Sequence, residues 1–413
     1  MGTYATATAP AAALPSVLAA VEAIARGGMV VVTDDASREN EADLIVAAEH
    51  ATPEMIAFLV RHTTGILCVS LPGERLDELR LPPMTARSTD PRGTAFTVSV
   101  DARHGTTTGV SAADRTATIR TLADPATRPD DLLRPGHVFP LRAREGGVLD
   151  RRGHTEAALD LARLAGTSPA AVLAEIVRDD GTMAREGDAR AFAAEHGLPM
   201  ISIAELAHHR RAVEQLVEHL GAVALPTPHG RFDAHVYRST IDGVEHVALT
   251  MGDLDGGDPP LVRVHSECLT GDVLGSRRCD CGEQLELGLA AIAAEGRGAL
   301  VYVRGHEGRG IGLARKLQAY ALQDRGRDTV EANVELGLPV DARDYHAPAQ
   351  ILRDLGADRV RLLTNSPDKV AQLRGYGVET VERIPLVAPP RAERAAYLEA
   401  KRTKLHHILA APR

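Results

Sequence analysis

Three of the four cysteines in this chain lie in one stretch, CLTGDVLGSRRCDCGEQL, from Cys268 to Leu285. Cys268, Cys279 and Cys281 have the spacing C-x10-C-x-C. Thiolates are zinc ligands, and the number of ligands separates two uses of the metal. A structural site closes its tetrahedron with four protein groups, whereas a catalytic site keeps three and leaves one position for water. Both readings stand on spacing alone, because His265, three residues before Cys268, offers a fourth ligand. Zinc with an open position lowers the pKa of bound water and supplies hydroxide to an electrophilic carbon. The fourth cysteine, Cys68 in GILCVSL, reads as a small buried apolar residue.

Such chemistry needs a second group that holds the electrophile. Downstream, HEGRGIGLARKLQAYALQD places Gly308, Gly310 and Gly312 around Arg309 and then turns helical. Glycines ahead of a helix let backbone N–H groups approach an anion, and the helix dipole adds to the attraction. The stretch reads as a phosphate cradle or as an ordinary tight turn. It is neither a Walker A sequence nor a G-x-G-x-x-G fingerprint. Asp341 and Arg343 in PVDARDY, read alone, make a solvated surface pair.

The first half of the chain carries a different kit. In VTDDASRENEADLIV, Glu39, Glu41 and Asp43 alternate with other residues, so an extended chain points all three carboxylates to one face. Crowded like charges are unfavourable without a cation, and hard oxygen ligands suit Mg²⁺ or Mn²⁺. A solvated acidic loop is the competing reading. HGTTTGVSAADR, RPGHVFPLRA and RRGHTEAALDLA pair glycine with hydroxyl, histidine or arginine side chains, as a phosphorylated polyol requires.

The elements that must position these groups divide into two sets. A helix-like Val17 to Ile24 leads through Gly27 and Gly28 to the strand-like MVVVT. ATPEMIAFLVRH and HTEAALDLARLAG read as helices, GILCVSL and TAFTVSV as strands, and SPAAVLAEIV as either. This is an α/β pattern. HHRRAVEQLVEHL reads as a polar helix up to Leu220, and LPTPHG after it as a break. The second half opens with hairpin-like RFDAHVYRS, VEHVALTMG and LVRVHSE and gains helices later, an α+β pattern. The expected division is a frayed 1–14, a first domain over 15–207, a linker over 208–222 and a second domain over 223–413, with no internal repeat.

Composition excludes several classes. A net charge of -9, 3% aromatic residues and no tryptophan disfavour a nucleic-acid surface. No run of eighteen or more apolar residues suggests a membrane span, and the Ala-rich start lacks the basic region of a signal peptide. Gly2 and Thr6 fit a loose myristoylation pattern, but no second anchor follows, so the fit reads as chance. A cytoplasmic protein is expected, with thiols free for metal or catalysis.

The segments RVHSECLTGDVLGSRRCDCGEQL, RGHEGRGIGLARKLQAYALQD, DTVEAN, DARDY and RLLTNSPDK resemble GTP cyclohydrolase II and span most of Leu225 to His407. The resemblance implies that Cys268, Cys279 and Cys281 hold one zinc. It implies that Arg263, Val264, His265, Ser266, Glu267, Gln284, Glu307, Gly308, Arg309, Thr329, Thr364 and Lys369 contact GTP, which arrives with Mg²⁺. Tyr320 would lie close to the purine, Asp341 would accept a proton, and Arg343 would engage the α-phosphate as pyrophosphate leaves. The implied reaction opens the imidazole ring at C8 and releases formate. Ser366 stands where the family pattern has Asn, with little loss expected because Thr364 and Lys369 are retained.

Val17 to Leu206 resembles 3,4-dihydroxy-2-butanone 4-phosphate synthase. The likeness implies that Glu39 and His154 bind Mg²⁺ or Mn²⁺. Arg38, Glu39, Asp43, Arg151, Arg152, Gly153, His154, Thr155 and Glu175 would grip ribulose 5-phosphate, with His137 and Glu175 essential for catalysis. Two departures bear on activity. Ala42 replaces the glycine of the family's R-E-N-E-G-D; at a positive φ it would cost on the order of 1 kcal/mol and shift both neighbouring carboxylates. The loop MTARSTDPRG also differs from the Asn-containing family version. The expectation is a bifunctional riboflavin-biosynthesis enzyme, homodimeric by family likeness. A cyclohydrolase with a weakened synthase domain is the alternative, and a zinc-stapled nucleotide-binding protein without turnover is the competitor from another class.

Overall fold

A computed structural model describes residues 14–409. The chain forms two compact units that divide between Arg210 and Arg211. The expected frayed stretch 1–14 lies outside the described residues except for Leu14, which precedes the helix Pro15–Ala25. No described helix is long and apolar enough to cross a membrane.

The first unit is built on a seven-stranded mixed sheet. Its strands are β1 (Val30–Thr33), β2 (Ala42–Ala47), β3 (Cys68–Leu71), β4 (Val100–Ala102), β5 (Leu132–Arg142), β6 (Ala171–Glu175) and β7 (Met200–Ser202). They run in the order β4-β5-β3-β6-β2-β1-β7. All six residues of β2 are buried, because both faces of the sheet are covered. Leu44 and Val46 enter one core with the helix Pro53–His62, while Ile45 and Ala47 enter another with the helix His154–Leu164. The ambiguous SPAAVLAEIV forms β6. TAFTVSV makes only isolated bridges, Phe96 to Leu141 and Thr97 to Pro83, and regular pairing starts at Val100.

The second unit holds β8 (Val217–Thr227), β9 (Gly230–Ser239), β10 (Glu245–Met251), β11 (Leu261–Ser266), β12 (Gly298–Val303), β13 (Arg359–Leu363) and β14 (Glu379–Ile384). Their order is β14-β13-β11-β12-β10-β9-β8. The helical reading to Leu220 fails: the helix Ile203–Val213 stops and β8 begins at Val217, where it pairs antiparallel with β9. Residues 208–222, expected as a linker, therefore comprise a helix end and half a strand. Pro226 is accommodated because β8 is an edge strand.

Three parallel strands decide where chemistry can happen. β11 runs parallel to both β12 and β13, so the carboxyl ends of all three lie together. Beyond those ends come Cys268, the turn His306 to Gly312, and Thr364 to Lys369. In open sheets of this kind, ligands bind at the carboxyl ends of the strands. The helix Cys281–Glu295 packs Leu289 and Ile292 against Leu261 and Leu300 on one sheet face, which fixes the last cysteine beside that end.

Candidate functional site

In the second unit the three sulfur atoms of Cys268, Cys279 and Cys281 all lie within 4.8 Å of one another. Cys268 and Cys279 are 3.7 Å apart. His265 is not a fourth member: its Nε2 lies 3.1 Å from both carboxylate oxygens of Asp272, which also accepts from Tyr302 at 2.9 Å and from the Cys268 amide at 2.9 Å. The cluster closes around Gly271, where an added Cβ would stand 2.8 Å from Cys279 Sγ and 3.1 Å from Cys268 Sγ. The Lys316 ammonium is buried beside it. It donates to Cys268 Sγ at 3.1 Å, to Thr270 at 2.8 Å and to Glu307 at 2.5 Å. Hydrogen bonds from the other two thiols, joined by the Lys316 charge, hold the Cys268 thiol far below its usual range.

The glycine-rich stretch is a turn in the left-handed region, with φ of 61° at Gly308, 65° at Arg309, 86° at Gly310 and 83° at Gly312. The helix Leu313–Gln323 follows. Gly310 packs its backbone against Ala342, where a Cβ would come within 3.1 Å. Arg309 is thereby aimed inward, and both its terminal nitrogens are buried with no hydrogen-bond partner among the described residues. Arg343 holds Asp341 in a close ion pair at 2.5 Å. Burial works to raise the Asp341 carboxyl, but Arg343 outweighs it and keeps it below the usual range. Gln284 bridges Arg263, 2.6 Å from its carbonyl oxygen, and Asp280, 2.6 Å from its amide nitrogen.

One cavity gathers these groups. The three cysteines, Arg263, His265, Ser266, Glu267, Gln284, Gly308 and Arg309 line it, as do Tyr320, Thr329, Arg343, Thr364 and Lys369. Val264, Glu307 and Asp341 are not among its described walls. Val264 offers its carbonyl to Lys369 at 2.7 Å, and Glu307 is held by Lys316 and by the Leu269 amide at 2.6 Å. Ser366 caps the helix Pro367–Gly375 by accepting the Lys369 amide, so serine there is a sound local choice. Sequence reasoning missed Lys316, His306, Asn333, Tyr397, Lys401 and His407, all of which face the same space.

In the first unit, Asp34 builds the acidic turn. Its carboxylate accepts the amides of Glu39 at 2.9 Å and Glu41 at 2.8 Å, and Arg38 spans Asp34 and Glu39 at 3.1 and 2.6 Å. The chain reverses at Asn40, with φ 56°. Ala42 is ordinary strand, paired with Thr33, so the expected strain at this position is absent. Asp43 stands opposite Glu175 in the β2–β6 ladder. His154 opens the helix His154–Leu164 with Nδ1 3.5 Å from Glu39 and 3.7 Å from Asp43. His154 Nε2 and Asp43 Oδ1 are buried without hydrogen-bond partners among the described residues.

Burial acts to raise Glu39, but the hydrogen bond from His154 and the Arg38 charge bring it down to about 2. Burial raises Asp43 to about 7 against the pull of His154. Burial also opposes charge on His154, yet Asp43 and Glu39 lift it to about 9. Glu39, Glu41, Asp43 and Glu175 thus crowd one histidine, a set whose repulsion a cation relieves.

Arg38, Arg151 and Thr155 complete that cavity, whereas Arg152, Gly153 and His137 are not among its described walls. An added Cβ at Gly153 would press on the Arg151–Glu156 ion pair, 2.2 Å from an Arg151 terminal nitrogen and 2.6 Å from a Glu156 carboxylate oxygen. His137 lies on β5, its ring 2.8 Å from Asp101. Cys68, read as merely buried, lines the cavity too, as do Arg92 and Thr94 from the loop that departs from the family pattern and its flank. Arg92 donates to the Arg38 carbonyl at 2.7 Å and lies 3.6 Å from Glu39.

Family comparison agrees with this division. Residues 18–209 match the model of 3,4-dihydroxy-2-butanone 4-phosphate synthase, and residues 218–385 match that of GTP cyclohydrolase II. A riboflavin biosynthesis protein RibBA of Salinispora arenicola is 60% identical over 390 residues, covering 94% of this chain and 93% of that one. The chain belongs to the bifunctional riboflavin-biosynthesis family. A member from Arabidopsis thaliana, the chloroplastic bifunctional riboflavin biosynthesis protein RIBA 1, is 56% identical over 97% of this chain and 74% of its own length. The crystal structure of RibBX from A. baumannii, a two-domain 3,4-dihydroxy-2-butanone 4-phosphate synthase, superposes with a TM-score of 0.66 at 37% identity, covering 90% of this chain and 99% of that one. Within this family the first cavity belongs to the synthase half and the second to the cyclohydrolase half.

Proposed function

We propose that Cys268, Cys279 and Cys281 hold a catalytic zinc in the GTP cyclohydrolase II half of this bifunctional enzyme. Three clustered thiols around a glycine, two of them on buried residues and one with an ammonium against it, fit a soft dication and leave one position for substrate or water. When bound, the metal would supply Lewis acidity and make water nucleophilic near neutral pH. The protein does the rest. Arg309 and Arg343 grip the phosphates, Asp341 accepts a proton, and Tyr320 lies along the purine while Arg263, Gln284, Thr329, Thr364 and Lys369 orient the nucleotide. GTP is opened at C8, and formate and pyrophosphate leave. In the synthase half, Glu39 and His154 would hold Mg²⁺ or Mn²⁺, whose charge stabilises an enediolate. Arg38, Asp43, Arg151 and Thr155 would grip ribulose 5-phosphate, with Glu175 and the Asp101-held His137 moving protons. A cytoplasmic homodimer belongs to the same proposal and rests on family likeness.

The observation that carries the reading is the Arg309 side chain in the cavity of the three thiols, its two terminal nitrogens buried without a hydrogen-bond partner among the described residues. Cys279→Ser tests it. With GTP and Mg²⁺, the variant should lose formate release and the diaminopyrimidine chromophore while circular dichroism stays native. Full turnover by Cys279→Ser, or none by zinc-loaded wild type, overturns the assignment. Formate from ribulose 5-phosphate should persist in the same variant, which reports that the other half is intact.

A further inference from the structure

The match to the cyclohydrolase family ends at residue 385, yet the helix Ala395–Lys404 beyond it supplies Tyr397 and Lys401 to the cavity wall. This helix is anchored rather than loosely laid down. Arg394, 1% exposed, pairs with Glu283 at 2.6 Å, Arg391 pairs with the same carboxylate at 2.8 Å, and Lys404 reaches Glu331 at 2.9 Å. Glu283 belongs to the first turn of the helix that carries Cys281.

Lys401 has the most consequential partner. Its ammonium donates at 2.8 Å to Asp280, a residue only 3% exposed. The other Asp280 oxygen accepts the amide nitrogen of Gln284 at 2.6 Å, and the Gln284 carbonyl accepts Arg263 at 2.6 Å. A carboxylate can only accept, so Asp280 fixes which end of the Gln284 amide meets Arg263. With one oxygen held by Lys401 and the other by Gln284, the Asp280 carboxylate is fixed in place, and Lys401 holds it from a segment outside the matched domain. We propose that Lys401 is a positioning residue for GTP: acting through Asp280, it locks the Gln284–Arg263 pair in the orientation that meets the nucleotide. The inference rests on the reading of Gln284 and Arg263 as GTP contacts.

Steady-state GTP turnover by the full-length, zinc-loaded chain carrying Lys401→Met tests it, with zinc content measured on the same preparation. KM should rise about tenfold, with kcat within about threefold of wild type and zinc unchanged. Lys401→Arg keeps a cation for Asp280 and should bring KM back to within about threefold of wild type. If Lys401→Met does not fold, adding Asp280→Asn removes the orphaned charge, and the double variant should fold and show the raised KM. An unchanged KM in Lys401→Met, an equal rise in Lys401→Arg, a loss confined to kcat and zinc, or a double variant that still does not fold overturns the proposal. Gln284→Ala separates the two levels. A KM unmoved there removes the GTP-contact reading itself, whereas a raised KM beside an unmoved Lys401→Met removes only the role of Lys401.

Discussion

Arg309 occupies a backbone position that suits glycine and carries a side chain with no ion pair within 4 Å among the described residues. Its φ is 65°, its carbonyl accepts the Ala342 amide at 3.0 Å, and neither terminal nitrogen has a partner among the described residues. Arg309→Gly therefore separates stability from function. Removing the side chain breaks no hydrogen bond of its terminal nitrogens among the described residues and relieves a left-handed residue of its Cβ, worth up to about 1 kcal/mol, against a similar entropic cost in the unfolded chain. The variant should unfold within about 1 kcal/mol of wild type in urea. Charged hydrogen bonds contribute roughly 1.5–3 kcal/mol each, so losing even one contact to a phosphate lowers kcat/KM about ten- to 150-fold. Arg309→Lys keeps the charge without the planar fork and should fall between. The assay is initial-rate formation of the diaminopyrimidine chromophore over a range of GTP concentrations. A kcat/KM for Arg309→Gly within about threefold of wild type would refute the reasoning, as would a loss of activity fully accounted for by unfolding.

Two further outcomes follow from the structure. Ala42→Gly restores the family glycine but, because Ala42 sits in a buried strand at ordinary φ, it should leave synthase turnover within about twofold and cost roughly 0.5–1 kcal/mol of stability; a marked gain in turnover would count against this account. His246 is buried and accepts the Arg304 amide at 3.2 Å, and burial lowers its pKa from 6.5 to about 4. Between these values the unfolded chain binds the proton and the folded one does not, so stability falls as pH drops from about 6.5 towards 4. Relative to His246→Asn, wild type should lose on the order of 3 kcal/mol between pH 7 and pH 4 in urea titrations, and parallel curves for the two proteins would dismiss the assignment.

Local sequence carried the parts of this molecule that depend on local rules. C-x10-C-x-C announced a cluster of three thiols, and the glycines around Arg309 announced a turn before a helix, because both depend on residue type and short spacing. Alternation in RENEAD led to three carboxylates sharing a cavity, although the chain reaches that outcome through a reversal at Asn40 and not through a continuous strand. Asp34 was illegible because its work, holding two amides five and seven residues on, exists only in the folded turn. Lys401, 121 residues from Asp280, carries no motif at all. VEQLVEHL has helical periodicity, and only its ladder with β9 converts the last part to strand. Cys68 was read correctly as buried, but burial and cavity lining are not exclusive.

Lys316 touches Cys268, Thr270 and Glu307 at once, and Glu307 leads directly into the turn that presents Arg309. Under the proposed assignment, in which the thiols hold zinc and Arg309 meets a phosphate, this one ammonium touches the walls of both sites. Any coupling between them is reciprocal: the factor by which the metal changes nucleotide affinity is the factor by which the nucleotide changes metal affinity. Zinc affinity, measured by equilibrium competition with a chelator, should therefore rise when GTP is present, by the same factor as GTP affinity rises with zinc.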